Sequence, residues 1–415
     1  MENKPMNRRE FFKTAAGTGL AAAITSGYAF AAIDANKPAD TNKPAEPGKP
    51  AVPAYPQVPT RTMGKANIPV PILSLGAMFD TIEAQIILYK SLQWGVNYWD
   101  TAYGYAGGNS ELGIGQFFAK NPDRRKDVFL VTKASGARDS ASRNIKLQES
   151  LHRMKTNYVD LYYGVHGMDN PADLNEDLKN WAAQAKAKGL IKYFGFTTHR
   201  NMTACLQAAA QTDWIDAIMT SYNFRLMRDT QFLAAVDACK AAGIALIAMK
   251  TQAGKSDGAD EKPLDRYFIE KGFTEGQAKI KTVLQDDRIC SACVGMKNIA
   301  HLTSNVAAVL DKTQLSKNDL NFMNAYAKET CSGYCDACTI CASAVPQMPY
   351  VSDVMRSLMY HHKYGDKKLA KELFSEVRGK INYKITSVDY SVAEKICPNG
   401  NKICKLMTEA EMLLA

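Results

Sequence analysis

The stretch Val96-Asn97-Tyr98-Trp99-Asp100-Thr101-Ala102 is a short apolar run that ends in polar residues. Seven further runs of this kind occur along the chain, with segments of helical periodicity between them. We predict strands at residues 72–78, 96–102, 128–134, 159–165, 191–197, 217–222, 244–249 and 289–295. Eight strand-then-helix units over about 240 residues predict an α/β fold, a TIM (β/α)8 barrel. The alternative, a doubly wound sheet, lacks support because no G-x-G-x-x-G motif follows the first strand.

Three consecutive predicted strands end near residues that carry chemistry. The second strand leads to Asp100, the third ends near Lys133 and the fourth leads to His166, with Tyr103 and Tyr105 just beyond Asp100. Barrel active sites lie at the carboxyl ends of the strands, so we expect these side chains at one rim. The set suits carbonyl reduction: a tyrosine protonates the developing alkoxide, a lysine cation lowers its pKa from about 10, and an aspartate holds the lysine. A histidine orients the carbonyl oxygen, and the hydride must come from a cofactor.

From about residue 68 to residue 312 the sequence resembles the aldo-keto reductase family. The motifs that carry the resemblance are Trp99-Asp100-Thr101-Ala102, Ser110-Glu111-Leu112-Gly113, Thr132-Lys133, Tyr158-Val159-Asp160-Leu161 and Ser221-Tyr222-Asn223. The family's catalytic tetrad would fall on Asp100, Tyr105, Lys133 and His166. Tyr105 is preferred over Tyr103 because it lies five residues after Asp100, as in the family.

The resemblance implies NADP or NAD as cofactor and a small carbonyl or alcohol as substrate. The family's nucleotide-contacting positions carry unusual residues here: Thr197, Thr198 and Met219 at the nicotinamide amide, Lys250 after the ring-stacking position, Lys297 in the phosphate-binding stretch and Asn305 at the adenine. Two alternatives therefore stay open. One is a non-nicotinamide electron-transfer or ligand-binding module, and the other is a structural or sugar-binding barrel.

Four cysteines, Cys331, Cys335, Cys338 and Cys341, lie within eleven residues in the spacing C-x3-C-x2-C-x2-C. Thiolates this close repel one another unless a cation lies between them, and bacterial ferredoxin runs solve this with an iron–sulfur cluster. The tail resembles the branch of the family with a ferredoxin-like extension, which implies a 4Fe-4S cluster held by these four cysteines. The first gap is one residue longer than usual in that branch, and no proline follows Cys341 directly. Zinc and disulfides remain alternatives.

The remaining cysteines give weaker signals. Cys397 and Cys404 bracket a turn-rich loop, which makes them a disulfide candidate or a pair of free thiols. The odd spacing of Cys290 and Cys293 on the eighth strand predicts that they face opposite sides of that strand.

The amino-terminal region carries an export signal. Asn7-Arg8-Arg9-Glu10-Phe11-Phe12-Lys13 precedes a weakly apolar stretch, and Ala29-Phe30-Ala31 provides small residues for cleavage. We predict a twin-arginine signal peptide at residues 1–31 and a periplasmic or cell-envelope location, with an envelope redox partner as a further expectation. The twin-arginine route carries folded proteins, which suits a chain with a preassembled cofactor.

The rest of the chain divides into three parts. Residues 32–60 form a proline-rich linker, 61–314 the barrel and 315–415 a small α-helical extension with the cysteine run. The net charge is +9, but no basic run with interleaved aromatics occurs, so we predict no nucleic-acid binding. No segment after the signal approaches about 18 uninterrupted apolar residues, so we predict no transmembrane helix there.

Overall fold

The computed structural model describes residues 55–252 and 262–415. The predicted signal peptide and most of the predicted linker lie outside the described residues. The described part begins with an antiparallel hairpin of β1 (Thr60–Met63) and β2 (Ile68–Pro71), in which Thr60 pairs with Pro71.

Eight parallel strands then close into a barrel in which each strand pairs with the next along the chain and the last pairs with the first. They are β3 (Leu73–Gly76), β4 (Tyr98–Asp100), β5 (Phe129–Lys133), β6 (Val159–His166), β7 (Ile191–Thr198), β8 (Ala217–Ser221), β9 (Ala245–Met249) and β10 (Ile289–Gly295). The prediction of a TIM-like barrel is confirmed.

The strands are apolar throughout because both of their faces are covered. Tyr98, Val131 and Leu161 point into the barrel and pack with residues of β8 and β9. Their neighbours Trp99 and Leu130 belong to a second core, which lies between the strands and the surrounding helices. Alternate residues of one strand therefore serve two different cores.

Nine helices are assigned along the barrel portion of the described chain. They are α1 (Gln85–Gln93), α2 (Asn109–Lys120), α3 (Ser140–Arg153), α4 (Glu176–Ala187), α5 (Met202–Ala209), α6 (Thr230–Ala241), α7 (Lys262–Glu270), α8 (Glu275–Leu284) and α9 (Ile299–Leu310). Gly115 lets α2 approach α3 closely, because a Cβ atom at this position would lie 2.0 Å from the carbonyl oxygen of Arg153.

The hairpin closes the amino end of the barrel. Met63 and Val70 are buried in the interior core, and the backbone N–H of Lys65 donates to the carbonyl of Gly243 just before β9. Residues 55–59, which the sequence prediction placed in the linker, also pack on the barrel: the Tyr55 ring meets the Trp94 ring edge-on at 4.9 Å between centroids. The folded part of the chain therefore includes the last residues of the predicted linker.

A helical extension follows the barrel, as predicted. It comprises α10 (Lys317–Glu329), α11 (Ile340–Ala344), α12 (Val351–His362), α13 (Lys367–Arg378), α14 (Ser391–Ile396) and α15 (Ile403–Leu414). Helix α10 packs against barrel residues such as Leu264 and Phe268. The later helices bury a core of their own around Val354, Phe374 and Met407.

The extension contacts the loops at the carboxyl ends of the barrel strands. The N–H of Asn201, after β7, donates to the carbonyl of Ala337 at 2.9 Å. Arg200 forms an ion pair with Asp353 of α12. The extension therefore lies on the face of the barrel where the predicted catalytic residues are found. Among residues 55–252 and 262–415, no helix is long and apolar enough to cross a membrane.

Candidate active site

The buried amino group of Lys133 is the centre of the predicted catalytic set. It lies at the end of β5, next to the end of β4, and donates to Asp100 Oδ1 at 2.5 Å and to the carbonyl of Thr101 at 2.7 Å. The Nζ atom also lies 4.6 Å from the centroid of the Tyr105 ring. The register of the parallel strands thus brings the predicted aspartate, lysine and tyrosine together.

Residues of the neighbouring helices hold these strand ends in place. Thr101 and Ser110 share a hydroxyl–hydroxyl hydrogen bond of 2.6 Å, and the Ser110 hydroxyl lies at the same distance from the carbonyl of Ala77. The hydroxyl of Thr132 donates to the buried carboxylate of Glu111 at 2.6 Å. The first turn of α2 therefore anchors the residues beside Asp100 and Lys133.

Burial and the charge of Lys133 shift the pKa of Tyr105 in opposite directions. Burial raises the pKa of Tyr105, and Lys133 opposes this without reversing it. Burial lowers the pKa of Lys133, but the attraction of Asp100 outweighs it and the net shift is upward. The sequence led us to expect a lowered tyrosine pKa, and here the desolvation is the larger effect. Tyr105 therefore keeps its proton and Lys133 keeps its charge at neutral pH.

His166, at the end of β6, is a neutral imidazole in this environment. Burial and the neighbouring Lys133 lower its pKa to about 3. Its ring lies 5.9 Å from the Tyr105 ring between centroids, and its Nδ1 is 2.8 Å from the hydroxyl of Ser135. The structure thus brings all four predicted catalytic residues together. Ser135 was missed in the sequence; its only signal is its position two residues after Lys133.

Tyr103, the other tyrosine beyond Asp100, belongs to a different group of side chains. Its hydroxyl donates to Glu149 Oε2 at 2.7 Å, and its ring lies against the cations of Lys146 and Arg153 at 4.0 and 4.3 Å from the centroid. The geometry therefore favours Tyr105 as the tyrosine next to Lys133.

Cys293 is a neighbour of this site that the sequence did not indicate. Burial, together with the nearby carboxylate of Asp100, raises the pKa of the Cys293 thiol. Cys290 and Cys293 both pack with the interior core of the barrel, so the prediction that they face opposite sides is wrong. The reason is a shift in the strand register between Ile289 and Ser291, which changes the alternation of side chains along β10.

The predicted nicotinamide-contacting residues on β7 form hydrogen bonds with the loop after β6. The hydroxyl of Thr197 accepts from the N–H of Gly167 at 2.9 Å, and that of Thr198 donates to the carbonyl of Met168 at 2.7 Å. Both threonines are buried, and Met219 is buried in the interior core. These three residues therefore do not fit the role of hydrogen-bonding a carboxamide as they stand.

Lys250, after β9, lines a cavity between the barrel and the extension, which we call the mouth pocket. This pocket encloses about 430 Å³, part of it open to solvent, and its wall includes His199, Arg225, Lys250, Tyr334, Arg356 and Tyr364. Within the described residues, the Nε atoms of Arg225 and Arg356 are buried and have no hydrogen-bond partner. Burial lowers the pKa of Lys250, whose Nζ lies 5.0 Å from the centroid of the Tyr360 ring. The mouth pocket thus collects three basic side chains.

The predicted phosphate and adenine positions follow β10, the strand next to β9 in the barrel. Lys297 is exposed in the short loop between β10 and α9, and Asn305 is buried within α9. Asn298 caps α9, because its side chain accepts from the N–H of His301 at 2.8 Å. An exposed lysine beside a capped helix N-terminus fits a phosphate group.

The cysteine run forms part of a second cavity, which we call the cysteine pocket. Cys335, Cys338, Cys341 and Cys397 line it, around about 410 Å³ of space that is partly open to solvent. Cys331 is not part of this lining, and its Sγ lies 3.4 Å from the carbonyl oxygen of Asn399. The structure therefore brings together three of the four predicted ligands.

No disulfide bond joins any of the cysteines. All ten cysteines are free, so the disulfide considered for Cys397 and Cys404 is not formed. Over residues 55–252 and 262–415, no group of three or more histidine, cysteine, aspartate or glutamate side chains is arranged to hold a single metal ion. A zinc site, in which all ligand atoms lie about 2.0–2.3 Å from one point, therefore finds no support.

With this geometry established, comparison with known proteins identifies the barrel. Residues 73–270 match the model of the Aldo/keto reductase family. An uncharacterized oxidoreductase of Bacillus subtilis, YqkF, is 30% identical over 154 residues, which is 34% of this chain and 49% of that protein. A second from the same organism, YrpG, is 23% identical over 309 residues, or 63% of this chain and 94% of that protein. The chain thus spans about half the length of the first of these relatives.

A solved structure supports the same fold. The aldo-keto reductase of Bacillus halodurans superposes with a TM-score of 0.55 at 22% identity, covering 65% of this chain and 96% of that one. The chain is therefore similar to the aldo/keto reductase family over residues 73–270, and its barrel shares the fold of the aldo-keto reductase of Bacillus halodurans.

Proposed function

We propose that this protein reduces a carbonyl group, or oxidises an alcohol, of a small molecule, with Tyr105 as the general acid and base. The observation that carries the proposal is the buried Lys133, which contacts both Asp100 and Tyr105. A structural ion pair needs no tyrosine over the lysine and no imidazole beside it. Acid–base catalysis on an oxygen needs both.

In the reductive direction, negative charge develops on the carbonyl oxygen and is neutralised by the Tyr105 proton. The phenolate that remains is stabilised by the charge of Lys133, which Asp100 holds in position. The neutral His166 hydrogen-bonds the same oxygen and orients it, while Ser135 fixes one nitrogen of the ring. In the oxidative direction the proton returns to Tyr105.

NADP or NAD is the cofactor that supplies or accepts the hydride in this scheme. The family generally uses these nucleotides, and Lys297 beside the α9 N-terminus suits a phosphate. The nicotinamide end differs, since the hydroxyls of Thr197 and Thr198 are already bonded to the loop after β6. We therefore propose nucleotide binding because Lys297 and the α9 N-terminus suit a phosphate group. The residues around the nicotinamide ring would differ from those usual in the family.

Export and a 4Fe-4S cluster complete the proposed function. The twin-arginine pair Arg8-Arg9 supports export to the periplasm or cell envelope, where a redox partner would meet the protein. The three cysteines with ferredoxin spacing in the cysteine pocket support a cluster in the extension.

A second candidate is a non-nicotinamide electron-transfer or ligand-binding module. It is favoured by the mouth pocket, where residues of the extension such as Arg356 and Tyr360 approach Lys250 beside the altered nicotinamide seat. In that case the cluster would exchange electrons with a partner and the barrel would bind a ligand.

Replacement of Tyr105 by phenylalanine tests the proposal. We expect Y105F to lose about 10²–10⁴-fold in turnover of carbonyl substrates, because the ring stays but the proton donor is gone. Y103F is the matched control, since the Tyr103 hydroxyl bonds Glu149 outside the site, and its turnover should stay within about twofold of wild type. Circular dichroism shows whether both variants are folded.

Unchanged turnover in a folded Y105F would exclude Tyr105 as the acid. Fluorescence titration of the wild-type holoprotein with NADPH and with NADH separates the two candidates. Saturable quenching supports the reductase, and no response to either nucleotide, with the cluster intact, supports the electron-transfer module.

A further inference from the structure

We propose that Cys397, rather than Cys331, is the fourth cysteine ligand of the iron–sulfur cluster. The inference rests on the proposed function, in which the extension holds such a cluster, and it concerns which residues bind it. The ligand set becomes Cys335, Cys338, Cys341 and Cys397.

The first argument is the shape of the cysteine pocket. The loop after α14 brings Cys397 to the same cavity as the three cysteines with ferredoxin spacing. Cys335, Cys341 and Cys397 also pack against the core of the extension, which fixes their positions around the cavity. Four sulfurs around one cavity is the arrangement that a cluster requires, because each cysteine binds a different iron.

The second argument is what Cys331 does instead. Its Sγ contacts the carbonyl of Asn399, and the following turn is tied to the same loop: the N–H of Gly333 donates to Asn401 Oδ1 at 2.7 Å. Asn401 in turn donates to the carbonyl of Tyr334 at 2.6 Å. Cys331 therefore belongs to a hydrogen-bonded contact between residues 331–334 and the loop that contains Cys397. It does not line the cysteine pocket.

The third argument is an unsatisfied hydroxyl in the wall of the pocket. The Oγ atom of Ser352 is buried and has no hydrogen-bond partner in the described structure, although it lines the cysteine pocket. Leaving such a group unpaired in an apolar cavity is unfavourable, because it loses its hydrogen bonds to water without replacement. A cluster sulfur is an acceptor that would satisfy it, and hydrogen bonds to the sulfurs are a normal feature of cluster sites.

The fourth argument is the local sequence. In bacterial ferredoxin runs the fourth cysteine precedes a proline, and no proline follows Cys341 directly. Cys397 is followed at once by Pro398. Cys335, Cys338 and Cys341 therefore correspond to the first three cysteines of a ferredoxin run. Cys397 and Pro398 correspond to its last cysteine and proline, although they lie in a distant loop.

Alanine variants of the full-length protein, purified without oxygen, test the assignment. Wild type should contain about four irons and four acid-labile sulfides per chain. We expect C397A to lose at least about half of both, as C335A does, because Cys335 is a ligand in either assignment. C331A should keep the iron, the sulfide and the electron paramagnetic resonance spectrum of the reduced wild type. C404A, which changes the other cysteine of the same loop, should also keep them.

Loss of the cluster in C331A together with its retention in C397A would overturn the inference and leave the proposed cluster in place. A wild type without iron or sulfide would instead remove that part of the proposed function. If C397A does not fold, C331A decides alone, because an unchanged cluster in that variant excludes Cys331 as a ligand.

Discussion

The charge state of the site depends on single residues whose environments differ over a few ångströms. Lys133 stays charged because Asp100 is within hydrogen-bonding distance, and His166 stays neutral because it is buried near that same lysine. A neutral imidazole and a protonated phenol can both donate to a carbonyl oxygen at neutral pH. Burial and one buried cation together therefore set the protonation of these residues.

The low pKa of His166 predicts a pH-dependent stability. The unfolded chain binds a proton at this residue below about pH 6.5, whereas the native state does so only near pH 3. Stability contributed by the neutral form is therefore complete above pH 6.5 and falls as the pH is lowered toward 3. Between pH 7 and pH 5, wild type should lose up to about 2 kcal/mol more stability than H166Q.

Urea unfolding at the two pH values measures this difference. H152Q is the control, because His152 is exposed on α3 and its replacement should leave the pH dependence as in wild type. Equal losses in wild type and H166Q would show that His166 is protonated normally in the folded protein.

At the scale of secondary-structure elements, the extension forms a folding unit with its own core. Phe374 of α13 is fully buried in that core and not in the cores of the barrel. F374A should therefore destabilise the extension by about 3–5 kcal/mol, the usual cost of such a truncation, and leave the barrel folded. Limited proteolysis with mass spectrometry should show rapid cleavage after about residue 330 and a resistant barrel fragment.

Met412 provides the comparison for this variant. It lies on α15 and is 74% exposed, so M412A should be cleaved at the wild-type rate. If the F374A change made the barrel and the extension equally susceptible to proteolysis, this result would show that the two unfold as one cooperative unit.

The elements of the barrel could be predicted because strands covered on both faces leave continuous apolar runs in the sequence. The hairpin β1–β2 was not among the predicted strands, since Pro69 and Pro71 interrupt the apolar pattern of its second strand. It is nonetheless a folded part of the barrel, because Met63 and Val70 are buried in the interior core. Proline tolerates the outer positions of a two-stranded ribbon, where no ladder hydrogen bond is needed.

The arrangement of the predicted catalytic residues was equally predictable, because strand order alone places Asp100, Lys133 and His166 on one rim. Contacts that depend on tertiary packing could not be predicted from the sequence. The position of Cys293 depends on a register shift within β10, and that of Cys397 on a turn far along the chain from Cys341. Neither the hydrophobic periodicity of the sequence nor a local motif indicates such contacts.

At the scale of the whole molecule, the proposed export depends on the amino-terminal sequence. Replacing Arg8 and Arg9 together by lysine should retain the protein inside the cell, because the twin-arginine pathway reads the arginine pair and not charge alone. Cell fractionation with immunodetection measures the distribution. K4A, which removes a charge outside the pair, should be exported normally, and undiminished export of the double-lysine variant would argue against this route.

Two residues of the chain separate the mouth pocket from the cysteine pocket. Cys335 and Asp336 contribute to the walls of both cavities, so only a thin layer of protein lies between them. Charge placed on one side of a low-dielectric layer is felt strongly on the other. By thermodynamic reciprocity, an anion that bound among Lys250, Arg225 and Arg356 would change the reduction potential of the proposed cluster at Cys335, and the redox state of that cluster would change the anion's affinity by the same factor. If the proposed cluster is present, the shared wall would couple anion binding in the mouth pocket to electron transfer in the cysteine pocket.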